Sequence, residues 1–136
     1  FPGSRIETHN GGEIIFEENI GIAQNFHVTS SNGIVRIGKN TVIAANTFIT
    51  NIDHEYREIG VPILDQKFIC KDTIIGENCF VGSGVAIQAG TILGKQCVVG
   101  ANSVVRGVFP DYSVIVGSPA RVIKKYNIDT NKWERF

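Results

Sequence analysis

From Ile75 to Pro110 the chain reads IGENCF VGSGVA IQAGTI LGKQCV VGANSV VRGVFP, a beat of six residues. An aliphatic residue falls at Ile75, Val81, Ile87, Leu93, Val99 and Val105 without a slip. A helix repeats its apolar face near 3.6 residues and an ordinary strand at 2, so neither accounts for the pattern. Three residues after each aliphatic come Asn78, Gly84, Gly90, Gln96 and Asn102, mostly types that accept positive φ at a tight corner. Four after it come Cys79, Val85, Thr91, Cys97 and Ser103, small enough to point inward beside a bulky neighbour. Gly76, Gly82, Gly94 and Gly100 follow their aliphatic directly.

A hexapeptide period of this kind is the signature of a parallel β-helix, in which three short strands make one coil and stacked coils bury a continuous core. Coil neighbours then differ by 18 residues, which places Cys79 over Cys97 and Val81 over Val99 at a strand spacing of about 4.8 Å. The expected fold class is therefore all-β. Handedness does not follow from the period, since parallel crossovers are right-handed in most folds.

Upstream, Ile37, Ile43 and Ile49 keep the same beat, with Asn40 and Asn46 at corners and Thr41 and Thr47 in the small slots. Before them Ile14, Ile20 and Phe26 start it weakly. The step of eleven from Phe26 to Ile37 puts the turn in SSNGIVR one residue short of register, which Gly and two Ser can absorb. Residues 1–13, FPGSRIETHNGGE, are turn-rich and lead into the first coil, with His9 a solvated loop residue. Over 51–72 the rhythm is lost in charges, a Val-Pro and a lone His. Such an interruption of a solenoid maps to a loop on one face, often the binding face. Downstream, residues 117–136 read as a C-terminal cap, with a short helix or strand in NIDTNKWERF covering the open end and Trp133 packing there.

The 136 residues make a single domain, 1–136, by length. Thirteen basic and thirteen acidic residues cancel, which argues against a nucleic-acid footprint and a polybasic membrane anchor. No apolar run approaches the roughly 20 residues of a spanning helix, so membrane insertion is not expected, and no signal peptide is visible. Three cysteines without a framework spacing suggest reduced thiols and a cytoplasmic location. The absence of methionine and the start at Phe1 imply that an initiator, with any N-terminal segment, lies outside this chain.

His54 stands where the coil ending at Ile49 gives way to the loop, flanked by Asp53 and Tyr56. Imidazole is the side chain best matched to taking a proton near neutral pH. An exposed loop histidine is the favoured competing reading, and the place of His54 at the one long interruption brings the two nearer to even.

The segments NFH from Asn25, RIGKNTVIAANTFITNIDHEY from Arg36, the long repeat, and GSPARVIKKY from Gly117 together resemble the hexapeptide acyltransferases. More closely they resemble the sugar O-acetyltransferases, which include the galactoside and maltose enzymes and enzymes of lipopolysaccharide and capsule decoration. The likeness spans roughly residues 20–126. It implies a left-handed parallel β-helix with one extended loop and a short C-terminal segment. It also implies acetyl-CoA as donor, a carbohydrate acceptor, no metal, and a homotrimer with active sites at the seams between subunits.

Residue by residue, the resemblance implies His54 as the general base that deprotonates the acceptor hydroxyl. Asn25, Asp53 and Tyr56 are the expected acceptor contacts, although an Asn at a coil corner such as Asn25 is just as readily a turn residue. Phe80, Ser83, Ala101, Arg106, Arg121 and Lys124 are the expected coenzyme contacts, with Lys125 assisting. Ser83 and Ala101 are one coil apart by count and match backbone contacts to the pantetheine arm, and the basic pair matches phosphate-facing residues. The sequence also departs from the family. Phe80 stands where Trp is usual, Gly107 where Lys is common with Arg106 substituting, and Ser118 replaces Asn or Val. Asp-His-Glu-Tyr around His54 follows the polysaccharide-modifying branch rather than the His-Pro of the galactoside branch.

The expected mechanism is direct transfer in a ternary complex, with a backbone N–H near Ser83 stabilising the oxyanion. Cys79 and Cys97 should face the core and Cys70 has no base adjacent in sequence, so none is favoured as a nucleophile. The rivals are N-acetylation of an amino sugar or other amine, a γ-carbonic-anhydrase-type zinc enzyme, and a non-catalytic solenoid. The zinc reading needs three converging histidines, and His9, His27 and His54 lack close paired spacing.

Overall fold

The computed structural model describes residues 2–135. Three sheets wrap one core, and the chain visits them in rotation. The first face holds strands Arg5–His9, His27–Ser31, Phe48–Thr50, Ala86–Ile87 and Val104–Val105. The second holds Glu13–Phe16, Ile34–Ile37, Thr73–Ile75, Ile92–Leu93 and Val108–Phe109. The third holds Gly21–Ile22, Val42–Ile43, Phe80–Val81, Val98–Val99 and Ser113–Gly117. Every pairing among these strands is parallel, so the architecture is a three-sided parallel β-helix.

The six-residue chemistry is realised as expected. Val81, Ile87, Val99 and Val105 are wholly buried, and Cys79, Val85, Thr91, Cys97 and Ser103 fill the small inward slots beside them. Asn78, Gly84, Gly90, Gln96 and Asn102 all take positive φ at the corners. Polar residues are tolerated inside because their hydroxyls are hydrogen-bonded, three of them to a corner carbonyl three residues back: Thr47 donates to the Ala44 oxygen at 2.9 Å, Thr91 to Gln88 at 2.6 Å, Ser113 to Pro110 at 2.8 Å. Ile75 pairs with Leu93 and Val81 with Val99, one 18-residue coil apart.

Away from that stretch the phase differs from the expectation. Phe16 pairs with Ile37, Ile22 with Ile43 and Val28 with Ile49, so the row continuous with the core starts at 16, 22 and 28. Ile14, Ile20 and Phe26 occupy the neighbouring slots that later coils fill with small residues. The turn around Asn32 and Gly33 is consequently three residues longer than a six-step, not one shorter. The last coil is short: Leu93 pairs with Phe109, only 16 residues on, because Val105 to Phe109 takes four. His9 ends a strand of the first face and is not a loop residue.

The C-terminal segment is a β-ribbon without a helix. Ala120–Asn127 runs antiparallel to Ser113–Gly117, and Lys132–Arg135 runs antiparallel to Ala120–Asn127. Ala120 and Val122 pack against the core. Trp133 does not cover the core end; it lies half-exposed, edge-on to Tyr126 at 5.5 Å.

Candidate active site

The loop leaves the prism at Asn51, whose side chain is fully buried. Its Oδ1 accepts from the Ser31 N–H at 2.9 Å, while Nδ2 donates to Ser30 Oγ at 3.1 Å and to the Ser31 carbonyl at 3.2 Å. The Thr73 hydroxyl donates to the Thr50 carbonyl at 2.8 Å where the chain returns. Between these anchors Ile52–His54 pairs antiparallel with Phe68–Cys70. The tip is held by Gln66, which donates to the Glu58 and Val61 carbonyls, and by Arg57, which pairs with Glu55 at 2.7 Å and holds that carboxyl down to about 2.

His54 therefore sits at the end of a short, doubly anchored strand. Its ring meets Phe68 edge-to-face at 4.9 Å. It lines a pocket of about 350 Å³ with His9, Thr29, Phe48, Thr50, Ile52 and Phe68. Thr29 and Thr50 are paired residues of adjacent coils, and their hydroxyls lie 2.8 Å apart on the pocket wall. An imidazole at the rim of a recess with an aromatic floor and hydroxyl edges is an arrangement that can deprotonate an alcohol.

Asp53 faces the other way, into an ion pair. Both of its oxygens accept from Arg106, at 2.8 Å each, and Arg106 also reaches the Gln88 side chain at 3.2 Å and the Ala89 carbonyl at 3.1 Å. The guanidinium holds the Asp53 carboxyl below its ordinary range, against the opposing effect of burial. Beside the pocket, His27 Nε2 lies 3.0 Å from Glu7 and the ring tilts against Phe48 at 5.0 Å. That contact, with Arg5, lowers the Glu7 carboxyl.

A second group gathers at the edge between the third and first faces. Ser83 and Ala101 stack there, the Asn102 N–H donating to the Ser83 carbonyl at 2.9 Å. Their own N–H groups have no hydrogen-bond partner among the described residues. Gly82 permits this close stacking, since a Cβ there would lie 2.8 Å from both the Ala101 nitrogen and the Val99 oxygen. Phe80 projects outward from the adjoining face in one ladder with Val98, Val114 and Lys124, and Arg121 pairs beside Val116.

The structure thus brings Phe80, Ser83, Ala101, Arg121 and Lys124 to one side of the first face and His54 to its far end. Arg106 belongs with Asp53, not with that group. Asn25 is a corner residue at φ 58, its amide donating to Asn46 at 3.0 Å, and it lies outside the His54 pocket. Tyr56 points into solvent. His9, Thr29, Phe48, Thr50 and Phe68 were not singled out as site residues by sequence; the signal for Thr29 and Thr50 was their 21-residue separation, readable only with the coil length known. Among the described residues no three His, Cys, Asp or Glu side chains converge as a metal set. Among the described residues no helix is long and apolar enough to cross a membrane.

A family model described as "Hexapeptide repeat of succinyl-transferase" matches residues 72–106. The putative lipopolysaccharide biosynthesis O-acetyl transferase WbbJ of Escherichia coli K12 is 36% identical over 140 residues, spanning 98% of this chain and 71% of that protein. A maltose O-acetyltransferase from Clostridium difficile 630 is 30% identical with a TM-score of 0.62, covering 91% of this chain and 70% of the other. The N-acyltransferase AntD of Bacillus cereus superposes with a TM-score of 0.77 over 95% of this chain and 72% of its own, at 17% identity, a likeness of fold alone. The chain belongs to the hexapeptide-repeat acetyltransferase family. It is an acetyltransferase whose relatives include O-acetyltransferases.

Proposed function

We propose that this chain transfers an acetyl group from acetyl-CoA to a hydroxyl of a carbohydrate, with His54 as general base. The observation that carries the reading is the placement of His54: an imidazole at the mouth of a pocket, on a strand anchored at both ends. His54 takes the hydroxyl proton as the sugar oxygen forms its bond to the acetyl carbonyl. The carbon–sulfur bond then breaks, and coenzyme A leaves as the thiol after taking up a proton.

The donor fits the corner of Ser83 and Ala101. Two outward N–H groups there suit the amides of an extended pantetheine arm, Phe80 gives an apolar wall, and Arg121 and Lys124 supply cations for phosphates. The first face separates this corner from His54 within one chain. As the family resemblance implies, we take the coil to wind left-handed and three chains to assemble as a trimer, the donor corner of one facing His54 of the next. The free thiols fit a reducing, cytoplasmic setting.

The test is thiol release from acetyl-CoA across nucleotide sugars, lipid-linked oligosaccharides and free polysaccharides, with amine acceptors as a control. His54→Ala should lose turnover on the order of a hundredfold or more while retaining coenzyme binding. Unchanged turnover in that variant, or preference for the amine, overturns the assignment.

A further inference from the structure

A recess at the C-terminal ribbon is unrelated to His54. It has a volume of about 610 Å³ and lies between the C-terminal ribbon and the corner after Phe109. Tyr112, Tyr126 and Trp133 line it, with Gln96, Asp111 and Lys125. Tyr126 is held edge-on between the other two rings, at 6.2 and 5.5 Å. Tyr112 and Trp133 nevertheless stay 40% and 38% exposed, so ring surface remains open. Lys125 is in no ion pair among the described residues, and Asp111 commits Oδ1 to the Lys95 N–H.

We propose that this cleft binds a pyranose unit of the acceptor glycan, remote from the unit that is acetylated. The proposal rests on the carbohydrate reading above and extends it. Sugar C–H bonds carry partial positive charge and lie along one face of the ring, which complements the negative face of an aromatic side chain. Hydroxyls at the sugar edge require donors and acceptors together, and Lys125, Gln96 and Asp111 offer both. Volume and lining fall within the ordinary range of small-molecule sites.

The cleft is not the donor groove. It sits at the edge between the second and third faces, whereas Ser83 and Ala101 sit at the edge between the third and first. His54 lies beyond the second face, a width of about 20 Å at six residues per side. A ligand touching both is therefore a chain of sugars, not a monosaccharide.

Trp133 is the only tryptophan, so its fluorescence reports on the cleft directly. The full chain is titrated with maltohexaose, chitohexaose and oligosialic acid up to about 10 mM, a range that captures millimolar binding. A saturable change in emission with at least one of them is expected. Tyr112→Leu should weaken it about fivefold or more. His54→Ala should keep the response while losing transfer. Silence with all three glycans, an undiminished response in Tyr112→Leu, or a response to 3′,5′-ADP alone overturns the proposal; the last reassigns the cleft to a nucleotide. Loss of transfer in His54→Ala with no glycan response leaves the base intact and removes the cleft. A glycan response with full transfer in His54→Ala does the reverse.

Discussion

Arg106 grips the carboxylate of Asp53 through two hydrogen bonds of 2.8 Å, joining the short last coil to the first strand of the loop. His54 is the next residue, so this pair fixes the direction from which the imidazole enters the pocket. Arg106→Ala should reduce turnover on the order of tenfold, because small misplacements of a catalytic group are costly. The same change should lower stability by only about 0.2–1 kcal/mol, since the side chains are 46% and 35% exposed. Kinetics and thermal melting of one variant check both numbers.

The pH dependence of that pair has a defined sign. Asp53 has its carboxyl lowered from 3.8 in the folded chain, so its stabilisation is fully present above that value and is lost as pH falls through the folded value. Melting curves of the native chain and Asp53→Asn should therefore differ at neutral pH and converge only below about pH 3.8. Convergence already at pH 6 would contradict the pairing.

Asn51 is the buried anchor of the loop. Replacing it with Leu leaves the Ser31 N–H and carbonyl without partners, a loss of about 1–3 kcal/mol. Activity should fall further than stability predicts, because the strand bearing His54 is freed at its base. Proteolysis within 51–72 in the folded variant provides the readout.

Gly82 supports the donor corner. Gly82→Ala forces a Cβ against the backbone of Ala101 and Val99, which should cost about 1–3 kcal/mol. The KM for acetyl-CoA should rise while the KM for acceptor changes little. Equal effects on both would place the donor elsewhere.

Cys79 and Cys97 are buried and donate to the Gly94 and Pro110 carbonyls, each at 3.2 Å. The hydrogen-bonded Cys97 thiol, with burial, pushes the Cys79 thiol well up. The Cys79 contact lowers Cys97 to about 7, but with both side chains closed off from solvent a thiol reagent should titrate Cys70 alone in the native protein, against three thiols after denaturation. Cys79→Ser should keep turnover.

The coil from Ile75 to Val105 was legible because bulky and small inward positions alternate there without ambiguity. The first coil was not, because Ile14, Ile20 and Phe26 put large residues where later coils carry Thr, Cys or Ser. With both inward rows apolar, periodicity reports six but not which row is which. That error of phase also hid Thr29, whose position opposite Thr50 depends on it. His54 stood out in sequence as the residue at the interruption, and the structure sets it beside a pocket. The Asp53–Arg106 pair was not, since it spans 53 residues and relies on the shortened turn after Val105.

The direction of Ala120–Asn127 has a consequence for how molecules meet. A stack of parallel rungs presents, at its last rung, amides and carbonyls spaced to receive another rung, and nothing in the repeat itself halts growth into a filament. On the third face the chain doubles back, so the outermost strand there opposes the polarity a further rung requires. A turn and a reversed ribbon thus stop one side of an otherwise endless architecture from accepting a further rung.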